Sequence, residues 1–122
     1  MTWYITVYTP LPNFEIVEEE TYLEVEERRY DPGSYQFAEG TQGTFVITAK
    51  NVGDGDGECI AWVFDYDTDE VLAESDPAWI PVRGTYTFSL TVTFDKNRTL
   101  KVAVLRRDPD YPDLWQITDT YG

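Results

Sequence analysis

The stretch GTYTFSLTVTF, from Gly84 to Phe94, decides the fold class, because apolar and polar side chains alternate along it without interruption. Successive side chains of a β-strand point to opposite faces, so a period of two residues is typical of a half-buried strand. Burial of five large side chains contributes about 7–15 kcal/mol before conformational entropy is subtracted, so the core should form on this strand. The side chains expected on the buried face are Tyr86, Phe88, Leu90, Val92 and Phe94.

Six further segments are rich in β-branched and aromatic residues and are separated by Gly, Pro, Asn or Asp, as strands are. Residues 14–30 have no clean period, and we interpret them as an acidic strand pair broken near Glu19 and Glu20, with a short helix as the alternative. The sequence therefore predicts an all-β protein, an antiparallel β-sandwich of about seven to nine strands. The six segments are residues 3–8, 43–50, 58–66, 70–74, 99–107 and 114–121.

The length of 122 residues fits one domain, and an apolar content of 42% is enough for a packed core. No repeat or linker divides the chain. Within the single domain 1–122 we expect N-terminal strands in residues 1–38, without a path that the sequence defines. The core of the sandwich should occupy residues 39–107, and a C-terminal strand should lie in residues 108–122.

The charge and the histidine count exclude several function classes. The formal net charge is −14 and Lys and Arg total nine, so neither nucleic acid nor an anionic membrane is an expected partner. The sequence has no histidine, which removes Ser-His-Asp and Cys-His catalysis and the usual zinc sites. Cys59 is the single cysteine, so no internal disulfide forms. We expect a protein without catalytic activity.

The first twenty residues, MTWYITVYTPLPNFEIVEEE, contain neither a basic region nor a long apolar run. They predict no signal peptide and no membrane insertion. The expected location is a virion or another extracellular assembly reached without a secretion signal, with the cytoplasm as the alternative.

Three segments, EGTQGTFVITAKNVGDGDGECIAWVFDYD, WIPVRGTYTFSLTVTF and TLKVAVL, follow each other in an order that resembles the CARDB-type and related Ig-like β-sandwich modules of bacteria and archaea. The resemblance covers roughly residues 39–107. It implies an Asn-x-Gly turn at Asn51 to Gly53, a strand with a buried aromatic residue at Trp62, and a non-catalytic accessory module of surface or adhesion proteins. In the residues themselves, the Asn51 side chain can bond to the backbone two residues on, and the glycines of NVGDGDG can supply positive φ.

Two alternatives concern ligands. Asp65, Asp67 and Asp69 have the D-x-D-x-D spacing of calcium loops, although Glu70 stands where an EF-hand requires glycine, so a hydrated acidic turn competes with a Ca²⁺ site. Trp79 and Trp115 lie near strand ends or loops and could stack on sugar rings, although aromatic residues are more often core or interface residues. An accessory domain that binds carbohydrate or calcium is therefore the alternative function.

The pattern that most directly indicates an interface is a second apolar face on two strands. In residues 58–66 and 99–107 both faces are apolar, and these strands should be adjacent, as the C and F strands of an Ig-like sheet are. We expect self-association through this exposed patch, or its intramolecular cover by residues 1–38. The expected patch residues are Ala61, Val63, Ala103 and Leu105.

Both ends of the sequence are also strand-like. Trp3 and Ile5 alternate with polar or smaller residues at one end, and Trp115 and Ile117 at the other. Open terminal strands can pair with a neighbouring subunit, so we expect oligomerisation through them. The sequence thus predicts a non-catalytic structural or interaction module that binds protein partners, such as a capsid decoration protein.

Overall fold

The structure, a computed structural model that describes residues 1–122, consists of ten β-strands and one 3₁₀ turn, and no helix in it is long and apolar enough to cross a bilayer. The predicted all-β class is confirmed. The strands are β1 (Phe14–Ile16), β2 (Tyr22–Val25), β3 (Arg28–Tyr30), β4 (Gln42–Asn51), β5 (Gly57–Asp65), β6 (Val71–Glu74), β7 (Ala78–Ile80), β8 (Thr85–Thr93), β9 (Leu100–Arg107) and β10 (Trp115–Tyr121).

The first sheet forms around β4, the longest strand. The alternating stretch forms β8, which pairs with β4 along its whole length, from Gln42 opposite Thr93 to Lys50 opposite Thr85. On the other edge of β4, β1 and β2 follow one another, separated by the 3₁₀ turn Glu18–Glu20, and β3 pairs with β2. The predicted strand pair with a break near Glu19 and Glu20 is confirmed.

The second sheet has the order β10-β9-β5, with β6 and β7 together on the far edge of β5. The predicted adjacency of residues 58–66 and 99–107 is confirmed, because β5 and β9 pair antiparallel from Cys59 opposite Arg106 to Asp65 opposite Leu100. Side chains tie β10 to β1 of the first sheet, since the Thr118 hydroxyl donates to the Phe14 carbonyl (2.7 Å). The two antiparallel sheets therefore form a sandwich.

The core lies between the sheets. Phe88, Leu90 and Val92 of β8 point into it and are buried as predicted, whereas Tyr86 is 47% exposed and Phe94 is half-buried near the strand end. The outer face of β8 is coated with threonine, and Thr48 and Thr87 hydrogen-bond across the strand pair (2.9 Å). The other buried core residues are Phe14, Ile16, Ile47, Ala49, Cys59, Ala61, Val63, Ile80, Val102 and Val104.

Two predictions about strands need correction. Residues 3–8 are not a strand, because an alternating pattern makes a strand only where another strand offers hydrogen bonds, and none lies beside them. The count is ten instead of seven to nine, because the edge strands beside β4 and β5 are each broken into two short pieces.

Candidate interaction surfaces

The outer face of the second sheet carries three of the four tryptophans, and we call it the tryptophan face. The strand register places large apolar side chains of neighbouring strands side by side: Ile60 is opposite Leu105, which is opposite Ile117. This second apolar layer has no sheet packed on it. Its residues are Glu58, Ile60, Trp62, Phe64, Trp79, Ala103, Leu105, Arg107, Trp115 and Ile117.

One row of the tryptophan face runs across four strands in the order Trp79, Glu58, Arg107, Trp115. Arg107 Nη2 lies 3.4 Å from Glu58 Oε2, and the Arg107 guanidinium lies 4.2 Å from the centre of the Trp115 ring. The arginine thus bridges a carboxylate and an aromatic ring, which holds both in fixed positions. The row presents two tryptophans flanking one ion pair.

The tryptophan face has a buried floor and an exposed rim. Ile60 and Leu105 are almost inaccessible, whereas Trp79 is 64% and Ile117 is 47% exposed. The indole Nε1 of Trp62 has no hydrogen-bond partner, and it is the single buried side-chain polar atom in that condition. Such unpaired groups are uncommon in folded proteins. The face therefore has the composition of an interface centre rather than of an ordinary solvated sheet surface.

The predicted patch of Ala61, Val63, Ala103 and Leu105 is wrong as a surface. Ala61 and Val63 are fully buried between the sheets, opposite Val104 and Val102. Ala103 and Leu105 do face outward, but the large side chains around them remove them from water. With apolar residues on both faces of β5 and β9, the sequence alone did not show which face points inward.

Trp62 also lies where the resemblance did not place it. The resemblance implies a buried core aromatic, but Trp62 is opposite Ala103 on the outer face and is half-buried there. The predicted intramolecular cover by residues 1–38 is present for one half of the predicted patch. Residues 1–38 contribute β1, β2 and β3 to the other sheet, and Phe14 and Ile16 of β1 share the core with Ala61 and Val63. They do not cover the tryptophan face, and residues 1–9 lie in solvent.

Residues 1–9, which we call the arm, are exposed and pair with no strand. Trp3 is 90%, Ile5 is 77% and Val7 is 86% exposed. No Asp, Glu, Lys or Arg occurs in the arm, although 26% of the whole chain is charged. A segment so apolar and so exposed is unusual in a free protein and is typical of a segment that docks elsewhere.

The root of the arm, Pro10 to Asn13, is fixed on the turn NVGDGDG. The Leu11 carbonyl accepts from the N–H groups of Asp54 and Gly55 (both 3.2 Å), and the Leu11 N–H donates to Asp54 Oδ1 (3.0 Å). Arg106 Nη1 donates to the Pro12 carbonyl (2.8 Å). The arm therefore begins at a rigid point at one end of the sandwich.

The glycines of NVGDGDG are needed because the backbone of the arm root packs closely against them. The prediction that they supply positive φ is wrong. None of the three has positive φ. A Cβ on Gly53 would lie 2.4 Å from the Leu11 oxygen, and one on Gly55 2.7 Å from the Pro10 carbonyl carbon. The predicted Asn51 bond is confirmed, because its Oδ1 accepts from the Gly53 N–H (3.0 Å).

Both carboxylate oxygens of Asp65 are bonded by protein groups. Its Oδ1 accepts from the N–H groups of Asp67 (2.9 Å) and Thr68 (3.2 Å), and its Oδ2 lies 3.1 Å from Arg98 Nη1. Burial would raise the pKa of Asp65, but these hydrogen bonds outweigh burial and lower it below its usual range. Asp67 and Asp69 are exposed, and no group of three or more acidic or cysteine side chains is placed to hold a metal. The predicted Ca²⁺ ligands are therefore not brought together.

Arg98 is the centre of this cluster. Besides Asp65, it contacts Glu70 Oε2 (2.8 Å) and Asp95 Oδ1 (3.3 Å), and only 9% of its side chain is exposed. Hydrogen bonds to these three carboxylates raise the pKa of Arg98, and the bond to Glu70 contributes most. The cluster ties the β5–β6 turn to the β8–β9 loop, which is a structural role.

A cleft of about 760 Å³ at one end of the sandwich was not indicated by the sequence. Aromatic rings of the irregular segment 31–37 line it: Phe37 stacks on Phe94 at 5.3 Å, and Tyr35 packs edge-on against Tyr30 at 4.9 Å. Lys96 and Lys101 also lie on its wall. The segment with Tyr30, Tyr35 and Phe37 is far in sequence from Phe94, Lys96 and Lys101, and no motif links the two.

Fold and surfaces together define an antiparallel β-sandwich module with an open, tryptophan-rich sheet face. No protein-family model matches the chain, and no curated protein matches it. Among solved structures, a β-glucuronidase of glycoside hydrolase family 2 aligns at 17% identity and a TM-score of 0.48, over 83% of this chain and 10% of that one. The β-glucuronidase of Ruminococcus gnavus aligns at 15% identity and a TM-score of 0.42, over 91% of this chain and 15% of that one. The chain thus spans a small part of either enzyme, and a likeness at this level carries no functional argument.

Proposed function

We propose that this protein is a non-catalytic assembly module that self-associates through the tryptophan face. The observation that carries the proposal is the second apolar layer on the outer side of a sheet, with a buried floor at Ile60 and Leu105 and an exposed rim at Trp79 and Ile117. Aromatic residues and arginine are enriched in interface centres, and the row of Trp79, Arg107 and Trp115 has that composition.

A non-catalytic role is supported by where the perturbed ionisable groups lie. Active sites usually place such groups in a cleft, with pKa values shifted towards the working pH. Here burial raises the pKa of Cys59 to about 12 inside the core, which suppresses its reactivity. The other shifted groups, Asp65, Asp95 and Arg98, form one ion cluster. Arg98 lies on the wall of the aromatic cleft, but its pKa is raised away from the working pH, and the pKa values of Asp65 and Asp95 are lowered away from it.

The finer assignment is also a proposal: a CARDB-type module of a virion surface or another extracellular assembly. The acidity of the chain supports it in one respect, since a net charge of −14 keeps copies soluble until a mainly apolar surface brings them together.

Sedimentation velocity over a concentration series tests the proposal. The wild type should associate, and the double variant Trp79→Ser, Ile117→Ser should remain monomeric at the same concentrations. Tyr86→Ser is the matched control, because Tyr86 is 47% exposed like Ile117 but lies on the other sheet. A wild type that stays monomeric at millimolar concentration, or a double variant that associates as the wild type does, would contradict self-association through this face.

Carbohydrate binding is the second candidate, favoured by one observation. Trp79 and Trp115 lie in one row of one face with the Glu58–Arg107 pair between them, an arrangement that offers stacking surfaces beside hydrogen-bonding groups. A glycan array would show binding that Trp79→Ala abolishes and Tyr35→Ala, in the aromatic cleft, leaves intact. Loss in the Tyr35 variant alone would assign sugar binding to the cleft instead.

A further inference from the structure

We propose that the arm of one copy lies across the tryptophan face of a second copy, with Trp3, Ile5 and Val7 turned towards that face. This inference rests on the proposed self-association and names the segment that performs it. It joins two features that a single copy leaves in water: an apolar arm without a partner strand and an apolar sheet face without a cover.

The arm has the pattern of a strand with one apolar side. Trp3, Ile5 and Val7 alternate with Tyr4, Thr6 and Tyr8, so in an extended conformation the three apolar side chains share one side. The nine arm residues span about 30 Å when extended, at 3.3 Å per residue. The nine residues of β5 extend over about the same length, so one arm is long enough to cover the face.

The distribution of charge also favours contact between the arm and the tryptophan face. Copies with a net charge of −14 repel each other over most of their surface. The arm has no charged side chain. On the face the Glu58 carboxylate is paired with Arg107, and the exposed Glu74, opposite Trp62 on β6, lies at its edge. Contact between arm and face therefore avoids most of the repulsion, and added salt should strengthen it by screening the remainder.

The root of the arm directs it away from its own face. Leu11 and Asn13 continue the β1–β4 ladder past Asn51, since the Asn13 carbonyl accepts from Val52 (2.7 Å). Thr9 and Leu11 each precede a proline, which restricts both to extended conformations, and the prolines themselves have fixed φ. A stiff root that continues a strand beyond the sandwich carries the arm outward, so a second copy is the occupant that fits.

The competing positions for the arm are the free edges of the sheets, where an added strand gains backbone hydrogen bonds, and the free edge of β8 is one of them. That edge borders a groove flanked by Glu74 and Asp76, and its outward residues are threonine and serine, which offer no apolar contact for Trp3 or Ile5.

Disulfide trapping tests the inference, and the chain is well suited to it because its single cysteine, Cys59, is fully buried. Ile5→Cys and Ile117→Cys are purified separately, mixed in equal amounts and oxidised. We expect a covalent dimer containing one of each variant. Ser89→Cys, on the exposed face of β8, replaces Ile117→Cys in the control mixture, which should give no dimer beyond that of Ile5→Cys alone.

Three outcomes would overturn the inference. These are no mixed dimer, a dimer formed equally well with Ser89→Cys, or an intramolecular disulfide in the Ile5→Cys, Ile117→Cys double variant with none in the mixture. The last result would mean that the arm covers its own face.

A second measurement separates failure of this inference from failure of the proposed function. In the full chain, Trp3, Ile5 and Val7 are all replaced by serine. The dissociation constant for self-association should then be about 10- to 100-fold higher than that of the wild type, since each lost apolar contact weakens binding. If this variant associates as the wild type does while Trp79→Ser, Ile117→Ser is monomeric, the face is an interface but the arm does not cover it. If the wild type never associates, the proposed function itself is wrong.

Discussion

Replacing Asn51 with alanine removes the side chain on which the arm root, the glycine-rich turn and β7 converge. Asn51 is fully buried, and its Nδ2 donates to the carbonyls of Gly55 (2.9 Å) and Ile80 (3.0 Å). Its Oδ1 accepts from the N–H groups of Gly53 (3.0 Å) and Asn13 (3.3 Å). We expect this substitution to lower the free energy of unfolding strongly.

The expected magnitude follows from the groups left without partners. Gly55 and Ile80 are buried, and a buried polar group that loses its hydrogen bond costs about 1–3 kcal/mol, so these two carbonyls together cost about 2–6 kcal/mol. The donors at Gly53 and Asn13 are nearer to water and add less. A domain of ordinary stability has about 5–15 kcal/mol in total, so the loss is a large part of it.

Equilibrium unfolding in urea, followed by tryptophan fluorescence, measures the change. Asn97→Ala is the matched control, because Asn97 is exposed in the β8–β9 loop and its replacement should change the free energy by less than about 0.5 kcal/mol. A loss below about 1 kcal/mol for Asn51→Ala, with an unchanged m-value, would refute the view that this side chain holds the junction.

Four further predictions concern ionisation, metal binding and packing. Burial raises the pKa of Cys59 from 9.0 to about 12, so the folded state keeps a proton that the unfolded chain loses, and stability should fall as the pH rises from 9 to 12, by up to about 1.4 kcal/mol per pH unit. Urea titrations at these pH values should show a shallower fall for Cys59→Ala, and parallel curves would contradict burial of the thiol. The pKa of Asp65 is lowered in the fold, so the ionised carboxylate stabilises the folded protein at pH values above the usual carboxyl range. This stabilisation is lost as the pH falls through the lowered pKa of Asp65, and Asp65→Asn should reduce this acid dependence. Because that carboxylate is already bonded to Arg98, millimolar Ca²⁺ should leave the melting temperature of the wild type unchanged, and a rise of several degrees would indicate a metal site. Val63→Ala should lower the free energy of unfolding by about 2 kcal/mol, and Val71→Ala, at a 40% exposed position on β6, by less than about 0.5 kcal/mol; equal losses would contradict the burial of Val63 between the sheets.

The fold class was predictable because it follows from local patterns. The period of two in β8 and the turn residues between segments define strands without tertiary information. The broken edge strand around Glu19 and Glu20 was found in the same way. A local pattern does not show whether another strand is available for pairing. Residues 3–8 therefore have a strand-like sequence and yet form no strand in a single copy.

The site was less predictable, because β5 and β9 are apolar on both faces. The alternation of side chains along a strand shows which residues share a face, but not which face points inward. Ala61 and Val63 were therefore expected on the outside, whereas they lie in the core. The placement of Trp79 and Trp115 in one row depends on β7 and β10 flanking the β5–β9 pair, which is long-range pairing. The Asp65 triplet was ambiguous for a similar reason, since the arginine that satisfies it is distant in sequence.

Hydroxyl-radical footprinting with mass spectrometry at low and at high protein concentration tests most directly whether a second copy covers the tryptophan face. Trp79 is 64% exposed in a single copy, so it should react readily in dilute solution and become several-fold less reactive when the protein is concentrated. Tyr86, on the other sheet, should react equally at both concentrations. Trp79 reactivity that does not change with concentration, measured where the protein is known to associate, would contradict the account.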